Sequence, residues 1–165
     1  AYQSARELAA GTGSLEWLTL AGAPDRGKTF LAVAVAREWL ARKTPAKFVY
    51  VPDLLDWLRE AFDQKDDEKA MSFSARMDVL KNAPLLVLDD LGAEKPTSWA
   101  NERIGTIVNH RSSNHLPLMV TMNKDVMELP GDDEHVIGSR LLRYEPGKVI
   151  NVEAPAYRLR KKVTK

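Results

Sequence analysis

The chain has 165 residues, 44% of them hydrophobic and 28% charged, with a net charge of +1; this is the size and composition of one globular domain. No run approaches the roughly eighteen apolar residues that a membrane span needs, and no secretory signal opens the chain. Zero cysteines exclude a disulfide framework and thiolate metal sites, so a cytoplasmic protein with no membrane partner is the expectation.

Residues 16–22 (EWLTLAG) read as a buried strand entering a glycine-bearing loop. A helix is expected over residues 28–42. The stretch 31-LAVAVA-36 alternates like a strand, yet its alanine content and its place after the loop favour helix. Next, 47-KFVYV-51 is a strand flanked by Pro45 and Pro52, and Asp53 caps a helix whose apolar face is Leu54, Leu55, Leu58, Ala61 and Phe62. The acidic run 63-DQKDDEK-69 reads as a solvated loop or a frayed helix end, followed by a helix over residues 72–81. Then 84-PLLVLDDLG-92 is an apolar strand ending in two carboxylates. Ala100, Ile104, Ile107 and Val108 mark a further helix, and 117-PLMVTMN-123 and 148-KVINV-152 are the last two strands. Apolar strands alternating with helices mean a parallel sheet covered on both faces, in a single α/β domain. His110, His115 and His135 lack metal-ligand spacing and read as ordinary polar residues.

The segment 22-GAPDRGKT-29 has the Gly-x-x-x-x-Gly-Lys-Thr spacing of a phosphate-binding loop, set between a strand and a helix. Backbone N–H groups from Gly22, Ala23, Pro24, Asp25, Arg26, Gly27 and on to Phe30 (all but the proline have one) offer a cradle for phosphate oxygens at a helix N-terminus. Lys28 is expected to reach the β- and γ-phosphates of ATP, and the Thr29 hydroxyl to hold Mg²⁺. Asp25 stands where such loops often place glycine. Its charge weakens binding, Arg26 offsets it, and aspartate tolerates the left-handed conformation the loop needs. In 85-LLVLDDLG-92, Asp89 is expected to bind Mg²⁺, directly or through water, and Asp90 to orient or activate the attacking water, since carboxylates ending a parallel strand sit where ligands bind. Asn123 ends the next strand and is placed to hydrogen-bond the water or the γ-phosphate.

These residues resemble an AAA+ ATPase, and more narrowly the bacterial replicative-helicase loaders of the DnaC/DnaI type. The resemblance is carried by 17-WLTLAGAPDRGKTFLAVAVA-36, 49-VYVPDLLDWLREAF-62, 85-LLVLDDLGAEKPTSWANERIGTIVNHR-111, 120-VTMN-123 and 138-GSRLLR-143. It implies a P-loop NTPase fold with a five-stranded parallel sheet of order 5-1-4-3-2. It also implies self-association through an ATP site lying between subunits, with Arg140 as an arginine finger on the neighbour's γ-phosphate. Arg143 is the nearby candidate for that role or for sensing nucleotide in its own subunit; Arg158 matches a family position without a firm role. The implied partners are a DnaB-type replicative helicase and single-stranded DNA, the latter met by the helical insertion over residues 52–81.

Expected departures from the family pattern are Asp25, a helicase-binding region not seen ahead of the core, and little length after Arg158 for a helical lid. In the insertion, Arg59, Lys65, Lys69, Arg76 and Lys81 are interleaved with acids, and Phe62 and Phe73 favour core packing over base stacking. The basic 158-RLRKKVTK-165 is an equal candidate for phosphate contact or a solvated tail. The functional expectation is an ATP-hydrolysing helicase loader, weak and oligomer-dependent as an enzyme. The alternatives are an IstB-like helper ATPase of transposition and a nucleotide-gated binding module with negligible turnover. A small-molecule kinase would need a lid and an acceptor pocket, to which no residues are committed.

Overall fold

The computed structural model describes residues 1–11, 15–63, 71–95, 97–129 and 137–156. Five parallel strands form one sheet: β1 (Trp17–Ala21), β2 (Ala46–Tyr50), β3 (Leu85–Leu91), β4 (Leu118–Met122) and β5 (Gly147–Asn151). Their spatial order is β2-β3-β4-β1-β5, the expected order read from the other edge. Six helices cover it: α1 (Tyr2–Ala10), α2 (Lys28–Ala41), α3 (Val51–Asp63), α4 (Phe73–Asn82), α5 (Ser98–Ser113) and α6 (Ile137–Arg143).

The two cores follow from strand alternation. On β3, Leu86, Leu88 and Leu91 face a cluster that includes Leu54, Leu58, Ile104, Ile107 and Leu141 from α3, α5 and α6. Leu85 and Val87 face the opposite cluster, with Ala32, Val35 and Trp39 of α2 and Leu8 of α1. The central strands β1, β3 and β4 are buried nearly throughout, whereas β2 at the edge is half open. This is why the central strands lack the alternating polarity of a one-faced sheet. The chain leaves β1 towards α2 on one face and leaves β4 towards α6 on the other. A crevice therefore opens between them at the C-terminal ends of the strands.

The start of one helix and the presence of another differ from expectation. Helix α3 begins at Val51, not after an Asp53 cap, so Pro52 and Asp53 lie in its first turn. Proline suits that turn because no helical acceptor awaits its missing N–H, and the Asp53 carboxylate favours the positive end of the helix. Helix α1 was not anticipated. Only Ala5 and Leu8 are buried in it, and Ala1 offers no capping side chain, so the sequence carries little periodic signal there.

The insertion is held by its own arginines. Arg76, 6% exposed, lies over Trp57 at 4.8 Å and donates from Nε to the Met71 carbonyl at 3.0 Å. Arg59 lies over Trp99 at 4.9 Å and pairs with Asp56, and Lys81 pairs with Asp78. Phe73 packs against the core beneath Arg103. These contacts give Arg59, Arg76, Lys81 and Phe73 structural partners. Lys65, Lys69, the Phe62 side chain, His135, Arg158, the basic tail and the stretch available for a lid lie outside the described residues.

Candidate nucleotide site

The loop between β1 and α2 is shaped by backbone demands that only certain residues meet. A Cβ on Gly22 (φ +129°) would stand 2.8 Å from the Val152 carbonyl oxygen, so nothing larger than glycine fits there. Gly27 caps α2 at φ +84°, and a Cβ there would meet nothing within 4 Å, so the loop's crest lies open to the crevice. Asp25 adopts φ +62°, the left-handed conformation expected of it. Together with Lys28, Thr29, Asp89, Asp90 and Asn123, the loop lines a chamber of about 740 Å³.

Within the chamber the polar groups form two linked chains. Lys28 is 5% exposed, and its Nζ donates to the carbonyl oxygens of Gly22 (2.6 Å) and Ala23 (2.8 Å) and to Asn123 Oδ1 (2.9 Å). The Asn123 amide then donates to Asp90 Oδ1. In the second chain, Thr29 Oγ1 donates to the Asp89 carboxylate at 3.0 Å, and Thr121 Oγ1 donates to the same carboxylate at 2.6 Å. Thr121 also accepts from the Asp90 N–H at 2.9 Å, which joins the two chains.

Charge in the chamber is held away from its ordinary balance. Burial lowers the Lys28 ammonium below its usual range, opposed first by the Asp90 carboxylate. Burial also raises Asp90 above the usual carboxylate range, and the Asp89 charge adds to this, while Lys28 and the Asn123 amide pull it back. Asp90 sits at φ +61°, where the pairing of β3 with β4 shifts register between Leu88 and Leu91. A left-handed aspartate costs about 1–2 kcal/mol, and strain of this kind concentrates at functional sites.

The donor set fits a magnesium nucleotide. A hydroxyl and a carboxylate in contact are hard oxygen ligands of the kind that hold Mg²⁺ alongside phosphate oxygens. No group of three or more His, Cys, Asp or Glu among the described residues forms a protein-only metal cage. Lys28 supplies a buried cation whose present acceptors are neutral oxygens that a phosphate can replace.

The structure thus gathers Asp25, Arg26, Gly27, Lys28, Thr29, Phe30, Asp89, Asp90 and Asn123 around the chamber; Gly22, Ala23 and Pro24 do not line it, although the Gly22 and Ala23 carbonyls hold Lys28, and both α6 arginines lie elsewhere. Arg140 and Arg143 are exposed on α6 and do not line this chamber; Arg143 borders a separate hollow with Met127 and Leu142. Arg26 lines the chamber and also donates from Nη1 to the Val152 carbonyl at 3.2 Å, so it fastens the segment after β5 as well as adding charge near Asp25. Sequence reasoning missed Thr121, Ala154 and Pro155, which complete the lining. Thr121 was visible as the one hydroxyl in the strand LMVTM, two residues before Asn123 and on the same face. Nothing in the sequence marked Ala154 or Pro155.

A phosphate loop on the first strand, acidic residues ending the third and an amide ending the fourth, on a sheet of this order, define a P-loop NTPase core of the AAA+ class. The profile of the IstB-like ATP binding protein matches residues 11–164, and the chain belongs to that family. It is 34% identical to the replicative helicase loader DnaI of Bacillus subtilis over 154 residues, 87% of this chain and 46% of that protein. It is 26% identical to the replicative helicase loader DnaC of Escherichia coli K12 over 117 residues, 71% of this chain and 46% of that protein. The crystal structure of a DnaC helicase loader superposes with a TM-score of 0.67 at 26% identity, covering 92% of this chain and 87% of that one. The chain spans about half the length of the curated relatives it matches. No helix among the described residues is long and apolar enough to cross a membrane.

Proposed function

We propose that this chain is a single AAA+ ATPase domain of a helicase loader, which binds Mg²⁺-ATP, hydrolyses it slowly and delivers a hexameric DnaB-type helicase to single-stranded DNA during replication. The observation that carries the reading is the hydrogen-bonded chain Lys28–Asn123–Asp90 beside Thr29–Asp89, in a protein 34% identical to a helicase loader.

In this reading Lys28 trades the Gly22 and Ala23 carbonyls for β- and γ-phosphate oxygens. Mg²⁺ held by Thr29 and Asp89 would neutralise charge on those oxygens. Losing Lys28 frees Asn123 to hydrogen-bond the attacking water, and Asp90 orients that water and accepts its proton. Burial holds the Asp90 carboxyl above its usual range, and its working form as a base is the ionised one. Arg140, exposed on α6 and outside its own chamber, acts on the γ-phosphate of a neighbouring subunit, which makes activity depend on oligomer formation. Arg143 is placed to assist there or to respond to nucleotide in its own subunit.

The test is hydrolysis measured against protein concentration, with and without single-stranded DNA, together with capture of a purified replicative helicase. Turnover rising more than linearly with concentration, and nucleotide-dependent helicase capture, support the loader. The family match to the IstB-like protein favours one second reading, a transposition helper ATPase, under which a transposase is captured instead. ATP binding with no turnover at any concentration would leave a nucleotide-gated binding module.

A further inference from the structure

The pairing of β3 with β4 keeps its register until it reaches the chamber. Leu88 lies opposite Val120 and Leu91 opposite Met122, so Asp89 and Asp90 together face the single residue Thr121. One extra residue on one strand is a β-bulge, rare between parallel strands, and bulges beside active sites re-aim side chains. Its effect is visible here. Successive residues of a regular strand point to opposite faces, yet Asp89 and Asp90 both line the chamber. Leu88 and Leu91, three residues apart, likewise pack into the same core. Without the bulge, only one of the two carboxylates would reach the chamber.

Thr121 closes this bulge with its side chain. It is 1% exposed, and its Oγ1 lies 2.6 Å from Asp89 Oδ1 and 2.9 Å from the Asp90 nitrogen. A backbone N–H can only donate, so the threonine oxygen accepts from Asp90 and its own proton goes to Asp89. One small group thereby holds the carboxylate of one aspartate and the backbone of the other, which sits at φ +61°. Valine has nearly the same shape and can make neither bond. The contact from Thr29 is of another kind. From an exposed position, Thr29 Oγ1 spans both Asp89 oxygens, at 3.0 and 3.2 Å. Among the described residues, Asp89 Oδ2 accepts from Thr29 alone, whereas Oδ1 is also held by the buried Thr121. If Thr29 turns its oxygen to a metal ion, Oδ1 stays pinned and Oδ2 is released.

We propose that Thr121 is a positioning residue for the Mg²⁺-ATP chemistry of this site: its hydroxyl pins Asp89 for the metal and locks the bulge that brings Asp90 to the attacking water. The inference rests on the nucleotide-binding reading above and deepens it. Thr121 touches neither nucleotide nor metal in this account and acts through the two aspartates. Groups that orient metal ligands in this way hold them in the geometry the ion needs, and losing one costs about 10- to 100-fold in metal affinity or activity. The buried Asp90 N–H would also be left without a partner, which favours relaxation of the bulge. A threonine serving only to pack the strand predicts the opposite order of variants: valine harmless, and serine, which lacks the methyl, impaired.

The test is calorimetric titration of the full chain with ATP, once with Mg²⁺ and once with EDTA, alongside phosphate release at saturating Mg²⁺-ATP. Thr121→Val and Thr121→Ala remove the hydroxyl and Thr121→Ser keeps it; a thermal melt shows which proteins are folded. In the valine and alanine proteins, the affinity for ATP that Mg²⁺ adds should shrink by about tenfold or more, with affinity in EDTA unchanged. Their turnover should fall by about 10- to 100-fold, and the serine protein should keep both properties. Unchanged magnesium dependence and turnover in a folded hydroxyl-free protein would overturn the proposal. So would equal losses with and without Mg²⁺, or a serine protein as impaired as the valine one, since the side chain would then act by packing. Should neither hydroxyl-free protein fold, the serine protein decides alone: a retained Mg²⁺ effect supports the proposal and a lost one overturns it. An unaltered chain that binds ATP equally with and without Mg²⁺ sinks this inference and leaves nucleotide binding standing. No ATP binding in either condition sinks both.

Discussion

The two ends of the sheet use polar groups in opposite ways. At the N-terminal ends of β1, β4 and β5, Tyr144 stacks on Trp17 with ring centroids 4.1 Å apart, its hydroxyl donates to Glu16, and His115 lies 3.2 Å from Glu16. Trp17 donates from Nε1 to the Leu116 carbonyl at 3.0 Å, which ties the same corner to β4. Burial and the Glu16 carboxylate push the Tyr144 phenol well above its usual range, so it remains a donor at any physiological pH. At the C-terminal ends, Lys28, Asn123 and Asp90 hold one another through groups that phosphate and water can displace, around an aspartate in a left-handed backbone. One end satisfies its polar groups permanently. The other satisfies them provisionally, and this is what a site that must exchange partners requires.

Substitutions can break that contrast at graded depth. Arg140→Ala should lower concentration-dependent ATP hydrolysis by about 10³-fold while leaving nucleotide binding by the isolated chain intact. Mixing it with an Asp90→Asn protein should restore part of the turnover, as measured by phosphate release. Lys28→Ala should weaken ATP binding by about 100-fold, because a charge-assisted hydrogen bond to phosphate is worth about 1.5–3 kcal/mol; calorimetry reads the loss. Asp25→Gly should tighten ATP about fivefold, since glycine accepts φ +62° and removes a carboxylate near the phosphates. Unchanged or weaker binding would count against a repulsive role for the Asp25 carboxylate. The smallest effect is expected of Tyr144→Phe, at the end of the sheet away from the site. It should cost about 1 kcal/mol in a denaturant melt and leave ATP affinity alone; a change in affinity would mean the two ends are coupled.

Much of the architecture was legible because both faces of the sheet are covered. Runs such as Leu85 to Leu88 can be continuous only in a strand buried on both sides, and the alternation with helices made the sheet parallel. Lys28, Thr29, Asp89, Asp90 and Asn123 were legible for a related reason: each lies at or beyond the C-terminal end of a buried strand, where a parallel sheet meets a ligand. Thr121 escaped notice because a β-branched residue in a strand reads as packing, and its hydroxyl acquires meaning only when β3 lies beside it. The start of α3 was misplaced because Pro52 reads equally as a strand's end and a helix's first turn. Helix α1 went unread because two buried residues do not make a period.

By itself the sequence determined a phosphate loop, a parallel α/β frame and the acidic strand end, since these are local patterns set by backbone sterics and by which side chains water rejects. Only the tertiary structure decided that Arg26 fastens the segment after β5, that Arg59 and Arg76 of the insertion lie over tryptophan rings and Arg103 of α5 over Phe73, and that Asn123 bridges Lys28 to Asp90. Those are contacts between residues far apart in the chain. Their distances depend on how helices and strands pack, and no spacing along a single segment encodes them.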